Sequence, residues 1–561
     1  MIIKILSTFG LIAALSFASI TDAAEIPADE YFRVDTITKG LKDPMGITVA
    51  PSGEIYLIER KGELKVIQPT SGDTVTIATL DVEIRKGKNY ARECGLLGVA
   101  LDPNFEKNKW IYLYHTPIGT KTHQLSRFTV KGDAIEDEKK MITIPYNPEN
   151  STCHEGGSLA FDSKGLLYLS TGDNTCPFAS KGSAPIDERE GKICYDAQRS
   201  AANTNDLRGK ILRIKPNDDG SYSIPDGNLF KEGTKKTLPE IFVMGCRNPY
   251  RISLDPKTNY LYWGKVGPDS GKDSDRGPRG YDEINQARQA GNYGWPYFSG
   301  DNIPYADHDF ETNKSGKLYN PDSPKNTSPN NTGLTKLPPA QKPILTLPRA
   351  CICAGPMYYS DLYPSGDGQL PKAFDSSLIT YDWAKGNLQI LKLDEQGDLI
   401  SNQPWLAKFS FTRPNDMELG PKGELYLLEY GSGWYDGSNG TLKRIRYSKT
   451  PKKIIVPTAD PRMKGLPKNH PGSKLIGAST CLACHSPTKQ SIGPSYLKIA
   501  EKYSKDDDSA ELLIKKILEG GSGVWGEQPM PAHPQHNHEE ASQMVDAIMK
   551  VTKPQKGKKK K

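Results

Sequence analysis

The sequence predicts two folded parts: an all-β six-bladed β-propeller over residues 24–447 and a small all-α domain over residues 473–552. Three observations predict this division. A phrase that joins a turn to a short aromatic strand returns six times in the first part. The hydrophobic period becomes helical in the second part. A proline- and lysine-rich segment at 448–472 lies between them and is typical of a semi-rigid linker.

The repeated phrase predicts one strand-rich propeller blade per copy, because short strands between turn signals recur at wide spacing. A β-sandwich, or two unrelated β-domains, is the alternative. The copies are APSGEIYLIER at 50–60, LDPNFEKNKWIYLYH at 101–115, FDSKGLLYLSTGD at 161–173, LDPKTNYLYWGKVG at 254–267, KAFDSSLITYDWAKG at 372–386 and GPKGELYLLEYG at 420–431.

Polar insertions interrupt this pattern at 174–206, 269–280 and 301–345. Long loops on a rigid propeller face are where a binding site is usually built. We therefore expect the functional residues of the first part to lie at such a face.

The N-terminal residues 1–23 have the pattern of a cleaved signal peptide, since Lys4 precedes an apolar stretch that ends in small residues. The stretch is short for a membrane span. The sequence therefore predicts a secreted or periplasmic protein with no integral membrane span.

The formal net charge of +6 comes from the C-terminal tail at 553–561, which holds six lysines. The rest of the chain is near neutral, so nothing indicates a nucleic-acid partner. We expect a disordered, solvated tail, and docking on an acidic partner or a membrane surface is the alternative.

In the second part, three stretches have helical spacing of apolar residues: SYLKIAEKY, SAELLIKKILEGG and EEASQMVDAIMKV. Leu497, Ala500 and Tyr503 lie on or near one face of the first. Gly520 suits the C-cap of the second helix.

Ahead of these helices stands the pentapeptide Cys481-Leu-Ala-Cys484-His485, which is the c-type haem attachment signature. Two thiols at this spacing can bond both vinyl groups of one haem, and the adjacent histidine reaches the iron. A redox or zinc-binding cysteine pair followed by a chance histidine is the alternative.

The second ligand of the haem iron is expected downstream, in GVWGEQPMPAHPQHNH, where Met530, His533, His536 and His538 are the candidates. We favour Met530, because the prolines on both sides fix an extended loop that can lay the thioether against the haem. Methionine with histidine raises the reduction potential relative to two histidines.

The stretches CLACH, IGPSY and GVWGEQPMPAHP resemble the small class I bacterial cytochromes c over about residues 472–552. The resemblance implies a cytochrome c domain, haem c as its cofactor and Met530 as axial ligand.

Residues 31–447 resemble the soluble sugar dehydrogenases that use pyrroloquinoline quinone (PQQ), a family of six-bladed propellers. The phrases that carry the resemblance occur in the family's order: ECGLLGVALDPNF, CHEGGSLAFDSKGLLYLSTGD, LRGKILRI, PEIFVMGCRNPYRISLDP, VGP, GYDEIN and GNYGWPYF. The whole architecture is therefore expected to match.

This resemblance implies roles for individual residues. His154 matches the general base that removes the hydroxyl proton of the substrate, and Asp173 matches the carboxylate that orients it. Arg247 and Asn248 match the pair at the cofactor carbonyls, where an arginine stabilises developing negative charge.

The remaining cofactor residues follow from the same resemblance. Lys385 and Arg413 match basic residues that hold the cofactor carboxylates, and a structural salt bridge is the alternative for each basic residue. Gly267 and Pro268 match positions whose backbone carbonyls hold calcium, which prefers oxygen ligands.

The sequence also departs from the family pattern. Cys153 precedes the matched base, Cys94 follows Glu93, and Tyr250 replaces a glutamine of the glucose-oxidising members. Because both cysteines flank the same expected pocket, we hypothesise a disulfide between Cys94 and Cys153. Substrate identity stays open.

Together these features predict a quinohaemoprotein dehydrogenase that oxidises a sugar or related alcohol with PQQ and calcium and passes electrons to haem c. The expected partners are the small-molecule substrate and a downstream cytochrome or oxidase. A propeller without PQQ that binds a glycan or partner is one alternative, and a metal-dependent lactonase is another.

Overall fold

The structure is a computed structural model. It describes residues 25–84, 93–146, 153–177, 180–348, 350–433, 437–454, 463–479, 481–490, 493–504, 509–521, 524–525, 530, 533 and 536–552. The predicted signal peptide and lysine-rich tail lie outside these residues, as do residues 455–462 of the predicted linker.

Within the described residues, six mainly antiparallel sheets form the blades of a β-propeller, which confirms the predicted fold. The strands of blades one to three, from the centre outward, are β2–β5 (Pro44–Val49, Ile55–Glu59, Glu63–Ile67, Thr74–Thr79), β6–β9 (Leu96–Leu101, Trp110–His115, Thr122–Lys131, Ala134–Pro145), and β10, β11, β12 and β14 (Gly156–Phe161, Leu167–Thr171, Lys210–Pro216, Ile241–Met244).

Blades four to six have the same radial order. Their strands are β15, β16, β17 and β23 (Pro249–Leu254, Leu261–Lys265, Tyr281–Ala287, Leu345–Pro348), β24–β27 (Ile352–Tyr358, Ser377–Asp382, Asn387–Leu393, Leu399–Trp405), and β28, β29, β30 and β1 (Pro414–Leu419, Leu425–Glu429, Gly440–Tyr447, Phe32–Leu41). Shorter strands outside this order are β13 (Tyr222–Ser223), β18 (Gly291–Asn292), β19 (Phe298–Ser299), β20 (Ile303–Pro304), β21 (Ala306–Asp309) and β22 (Lys314–Leu318).

The ring of blades is closed by the N-terminal strand. β1 pairs antiparallel with β30, from Phe32 opposite Tyr447 to Leu41 opposite Gly440, and so becomes the outer strand of blade six. Closing the ring in this way leaves only short protected sheet edges. Both ends of the propeller sequence therefore stabilise the same blade.

The six repeated phrases supply the second strands of the six blades, which are β3, β7, β11, β16, β25 and β29. These strands are almost entirely buried, because each lies inside a blade that packs between two neighbours. A strand buried on both faces reads as a continuous apolar run. This is why the repeat is visible in the sequence.

The first strands of the six blades contact one another around the central axis. They run in the same direction, so the residues that precede them meet at one end of the axis. We call this end the mouth; it includes residues 43, 93–95, 153–155, 247–248, 351 and 413. Deeper in the channel lies a cavity of about 320 Å³ lined by Arg251, Asp416 and Glu418, among others.

The C-terminal part is helical, as predicted. Its helices are α2 (Pro471–Ala478), α3 (Cys481–Cys484), α4 (Tyr496–Tyr503), α5 (Ser509–Glu519) and α6 (His538–Met549). In blade two a short helix, α1, spans Phe105–Asn108. Short 3-10 helices occupy Asp29–Tyr31, Ile193–Tyr195, Ala197–Arg199, Ser360–Leu362 and Lys372–Phe374.

The helical core includes Ala541, Val545 and Ile548, which lie on one face of α6 and have the helical spacing of apolar residues seen in the sequence. In α4 the deepest residues are Tyr496, Ile499 and Ala500, whereas Leu497 and Tyr503 pack at the margin. Gly520 follows α5 with a φ of +78°, as a C-cap glycine does. Among the described helices, none is long and apolar enough to cross a membrane.

Candidate functional site

The centre of the mouth is a buried histidine–aspartate pair. His154 precedes the first strand of blade three, and its Nδ1 lies 2.7 Å from Oδ1 of Asp173, which follows the second strand. Because a carboxylate only accepts hydrogen bonds, Nδ1 carries the proton and Nε2 keeps its lone pair. Asp173 is held in turn by the indole N–H of Trp295, which donates to Oδ2 at 2.7 Å, and by the Thr175 N–H at 3.0 Å.

The backbone of His154 is in the left-handed region, with a φ of +70°. A non-glycine residue there costs about 1 to 3 kcal/mol unless its surroundings hold it. The turn packs tightly against Gly172, where a Cβ would lie 1.8 Å from the carbonyl oxygen of His154. Glycine at position 172 is thus what allows the two strands of blade three to bring His154 and Asp173 together.

Glu93 lies beside His154, and the sequence analysis assigned it no role. Its Oε2 accepts the backbone N–H of His154 at 2.7 Å. Burial raises the pKa of Glu93, and the charges of His154 and Arg247 oppose that rise. In the sequence, Glu93 is only a carboxylate at the end of the loop that leads into blade two. Its contact with His154 forms where blades two and three pack together, so the sequence alone does not reveal it.

Cys94 and Cys153 are each one residue away from the hydrogen bond between Glu93 and His154, and both are buried. The structure therefore places the two cysteines at adjoining points of the mouth, as the hypothesis requires. Their pairing stays a prediction.

Arg247 and Asn248 come from the end of blade three and the start of blade four. The guanidinium of Arg247 lies 5.9 Å from the ring centroid of Trp295, and its Nη1 donates to the carbonyl of Val266 at 3.2 Å. Asn248 accepts the N–H of Gly156 through Oδ1 at 3.1 Å. Arg247 is only 5% exposed, so its charge acts in a medium of low polarity, where electrostatic interactions are strong.

Gly267 and Pro268 follow the second strand of blade four. The N–H of Gly267 donates to Oδ1 of Asp282 at 3.2 Å, and Oδ2 of Asp282 accepts the N–H of Ile352 at 3.2 Å. Burial raises the pKa of Asp282 to about 7. A Cβ on residue 267 would lie 1.9 Å from the carbonyl of Tyr281, so only glycine fits there.

Lys385 and Arg413 lie on the far side of the mouth, in blade five and at the entry to blade six. Nζ of Lys385 is 3.4 Å from Oδ2 of Asp382. The guanidinium of Arg413 stands 5.2 Å from the ring centroid of Trp383. The ion pair of Lys385 matches the structural alternative considered for it.

Contacts continue from Trp383 around the axis and back to Glu93. The rings of Trp383 and Tyr430 are 5.9 Å apart, and the Tyr430 hydroxyl donates to Asp43 at 2.7 Å. Arg60 bonds both Asp43, at 3.0 Å, and the carbonyl of Cys94, at 3.3 Å. Residues from all six blades therefore share one contact network, which brings the predicted propeller residues to a single end of the fold.

The residues at the mouth fit PQQ, which carries three carboxylates and an ortho-quinone. Arg247, Arg413 and Lys385 supply three positive groups from different blades. Arginine suits planar, bidentate recognition of carboxylates. The backbone oxygens at 267 and 268 are the hard donors that calcium prefers.

In the helical domain, Cys481 and Cys484 occupy one turn of helix, α3, and His485 follows it directly. Nδ1 of His485 donates to the carbonyl of Pro494 at 2.7 Å, so Nε2 is the nitrogen left for iron. Burial lowers the pKa of His485, which favours the neutral, ligating form. At Gly493 a Cβ would lie 2.5 Å from the imidazole, so this loop needs glycine to approach the ring.

The structure separates the candidates for the other axial ligand. His536 lies 3.1 Å from Glu540, and His538, which is largely exposed, lies 3.1 Å from Glu511. Met530 packs against the helical core, and its backbone exchanges two hydrogen bonds with Gly521, at 2.7 and 3.0 Å. Met530 therefore packs against the same core cluster as Cys481, and its assignment as the iron ligand stays a prediction; a thioether with the His485 imidazole is a donor set that fits haem c.

Comparison with known families gives two matches. Residues 41–442 match the family model described as glucose/sorbosone dehydrogenase, and residues 470–552 match the one described as cytochrome c. The two matches fall on the propeller and on the helical domain.

Three curated relatives cover these two parts. The aldose sugar dehydrogenase YliI of Escherichia coli K12 is 25% identical over 427 residues, which are 73% of this chain and 92% of the relative. Quinoprotein glucose dehydrogenase B of Acinetobacter calcoaceticus is 26% identical, over 56% of this chain and 65% of the relative. Cytochrome c-552 of Hydrogenobacter thermophilus is 42% identical over 79 residues, which are 14% of this chain and 79% of the relative.

Among solved structures, the apo-form of the soluble aldose sugar dehydrogenase of E. coli superimposes with a TM-score of 0.50. The match has 21% identity and covers 75% of this chain and all of the other. At this identity the likeness supports the propeller fold and nothing further.

Proposed function

The chain belongs to the glucose/sorbosone dehydrogenase family and carries a C-terminal cytochrome c domain, and from this premise we propose that it is a periplasmic quinohaemoprotein that oxidises a sugar or related alcohol. The observation that supports the proposal best is the His154–Asp173 pair, which lies in the same contact network as Arg247. A base can take the hydroxyl proton while the hydrogen on the adjacent carbon leaves as hydride, and a nearby cation stabilises the negative charge that the hydride acceptor gains.

PQQ, when bound with calcium, supplies a two-electron hydride acceptor, and haem c supplies a one-electron acceptor. His154 takes the hydroxyl proton at Nε2, because Nδ1 is committed to Asp173. Asp173 holds the tautomer and stabilises the imidazolium that forms. Trp295 keeps Asp173 in place through its indole N–H.

Arg247 would stabilise negative charge that develops at the cofactor carbonyls, Asn248 would lie with it there, and Lys385 and Arg413 would hold the cofactor carboxylates. Gly267 and Pro268 would hold calcium through their carbonyl oxygens. Each substrate molecule gives up two electrons and haem c accepts one, so two successive transfers would be needed, and a downstream cytochrome or oxidase would take up each electron in turn.

The tether between the two domains has a physical rationale. A linked acceptor is present at high effective concentration, so the second step needs no diffusional encounter. His485 and Met530 as iron ligands raise the haem potential relative to two histidines. The cytochrome domain is thereby suited to accept electrons.

The test is reconstitution of the purified protein with PQQ and calcium, followed by a panel of aldoses and alcohols, with the reduced haem absorption bands as the readout. We expect haem reduction that requires both PQQ and a substrate. Haem that is never reduced, together with no PQQ binding, would instead favour a propeller that binds a glycan or partner.

A further inference from the structure

A second buried histidine–carboxylate pair lies directly beside the first. His123, on β8 of blade two, places its Nε2 2.6 Å from Oε2 of Glu155, the residue that follows His154. The side chains of His123 and Glu155 are 3% and 2% exposed. A fully buried polar pair of this kind is costly unless its hydrogen bonds are complete.

The surroundings of His123 hold its ring from every side. Its Nδ1 lies 2.9 Å from the hydroxyl of Thr116, and the ring stacks on Tyr146 with centroids 4.7 Å apart. Tyr114 covers the other side at 5.5 Å. The His123 imidazole is therefore held in one position in blade two, and the side chain of Glu155 in blade three is hydrogen-bonded to it.

The segment that carries Glu155 needs such an attachment. His154 has a φ of +70°, and Gly156 and Gly157 follow with φ values of +65° and +109°. A turn with two glycines and a left-handed histidine has little conformational preference of its own for one geometry. Hydrogen bonds outside the backbone pairing of the strands therefore determine the position of the His154 imidazole.

These hydrogen bonds come from both sides of the turn. The N–H of His154 binds Glu93 at 2.7 Å, and the N–H of Gly156 binds Asn248 at 3.1 Å. The side chain of Glu155 binds His123 and also accepts from Asn174, at 3.3 Å. Of these contacts, the hydrogen bond between Glu155 and His123 is the one that reaches the core of the adjacent blade two.

We propose that His123 and Glu155 are positioning residues, which fix the backbone of the turn so that the His154 imidazole keeps its reactive orientation. The inference rests on the proposed function for its catalytic consequence. Its structural content, that the His123–Glu155 pair determines the His154–Asp173 geometry, stands apart from PQQ and can be measured without it.

Two substitutions of Glu155 distinguish the effect of its hydrogen bond to His123 from the effect of its negative charge. Glu155→Ala removes the acceptor, and we expect kcat for substrate-driven haem reduction to fall about 10-fold to 100-fold, with KM little changed, as for a small misplacement of a reacting group. Glu155→Gln keeps an oxygen that can accept from His123, and it should restore most of the rate.

A third variant protects the test against misfolding. His123→Phe keeps a ring between Tyr114 and Tyr146 and removes both nitrogens, so it should slow haem reduction as Glu155→Ala does. Since the two residues act as one unit, the double variant should be no slower than Glu155→Ala alone.

His115 provides the matched control. It is a buried histidine on β7, opposite Gln124 in the sheet, so its side chain lies on the other face of the blade from that of His123. His115→Gln perturbs the same blade without touching the turn, and we expect the parental kcat.

A second readout needs no cofactor. A strong hydrogen bond between His154 Nδ1–H and Asp173 gives a downfield proton resonance, which can be assigned because it disappears in His154→Gln. We expect this resonance to move or broaden in Glu155→Ala and His123→Phe and to persist in His115→Gln.

The two hypotheses fail in different ways. If the parent protein shows no substrate-driven haem reduction, the proposed function is wrong, and the proton resonance still decides the positioning role. If Glu155→Ala and His123→Phe keep both the parental kcat and the parental resonance, the positioning role is overturned.

Discussion

His154 and Asp173 are nineteen residues apart in the chain, and the structure brings Nδ1 of the first within 2.7 Å of Oδ1 of the second. The other oxygen of Asp173 accepts the indole N–H of Trp295, which is 122 residues further on. The pair is therefore fixed by two blades and not by a local motif. Its geometry leaves Nε2 of a neutral His154 imidazole as the nitrogen that could act as the proposed base.

Replacing the proposed base should abolish turnover without affecting the haem. In His154→Ala we expect substrate-driven haem reduction to slow at least about 100-fold, because general base catalysis contributes about 10²–10⁴-fold. Stopped-flow absorbance in the haem bands measures the rate. Reduction by dithionite should match the parent, and a variant that keeps the parental rate with substrate would refute the assignment.

Asp173 and Trp295 should differ in importance. Asp173→Asn removes the carboxylate that selects the tautomer of His154, so we expect kcat to fall at least about 10-fold. Trp295→Phe removes only one of the donors that hold Asp173, and its loss should be smaller. The comparison is made at saturating substrate. Equal losses in both variants would mean that the indole, and not the carboxylate, controls the geometry.

Met530→His should lower the reduction potential of the haem, because a second imidazole replaces the thioether. A spectroelectrochemical titration measures the midpoint. His533→Gln is the control: His533 is the buried one of the three histidine candidates in this segment, and we expect the parental potential there. A changed potential in His533→Gln with an unchanged one in Met530→His would assign the ligand to His533.

Glu418 should make the stability of the propeller depend on pH. Burial in the central cavity and the nearby Asp416 raise its pKa from 4.5 to about 8, and Arg251 opposes the rise. Between these values the folded protein binds more protons than the unfolded chain, so the free energy of unfolding falls as pH increases.

The measurement is the unfolding midpoint of the parent and of Glu418→Gln at about pH 5 and about pH 9. The substitution removes the titration, so the loss of stability on going to high pH should be smaller than in the parent. Identical pH dependence in the two proteins would contradict the raised pKa.

A disulfide between Cys94 and Cys153 would join blades two and three beside His154. Peptide mapping of the non-reduced protein should recover one linked pair containing both cysteines. Reduction should then lower the unfolding temperature, because a cross-link restricts the unfolded chain. Recovery of both residues as thiols in the mature protein would dismiss the pairing.

Parts of this protein could be predicted because their chemistry is local. Cys481, Cys484 and His485 occupy one helical turn and the residue after it, so their spacing alone predicts a haem attachment site. The repeated aromatic strands could also be recognised in the sequence, since a strand buried on both faces is mostly apolar along its length. The six second strands of the blades confirm that interpretation.

Other features could not be predicted, because no short stretch of sequence contains them. Glu93 lies in a different blade from His154, and Trp295 reaches Asp173 from an insertion after blade four has begun. The contact between His123 and Glu155 joins two blades across their interface. Each of these residues, taken alone, resembles an ordinary buried or loop residue.

The sequence by itself determined the cytochrome c domain, the number of blades and the phrases that identify the family, because these depend on spacing along the chain. Only the tertiary structure decided which side chains surround His154. Closure of the ring by β1 and β30 sets the first strands of six blades around one axis, and residues hundreds of positions apart meet at their ends. The mouth forms only when the ring of blades closes, so no pattern along the sequence shows which residues surround it.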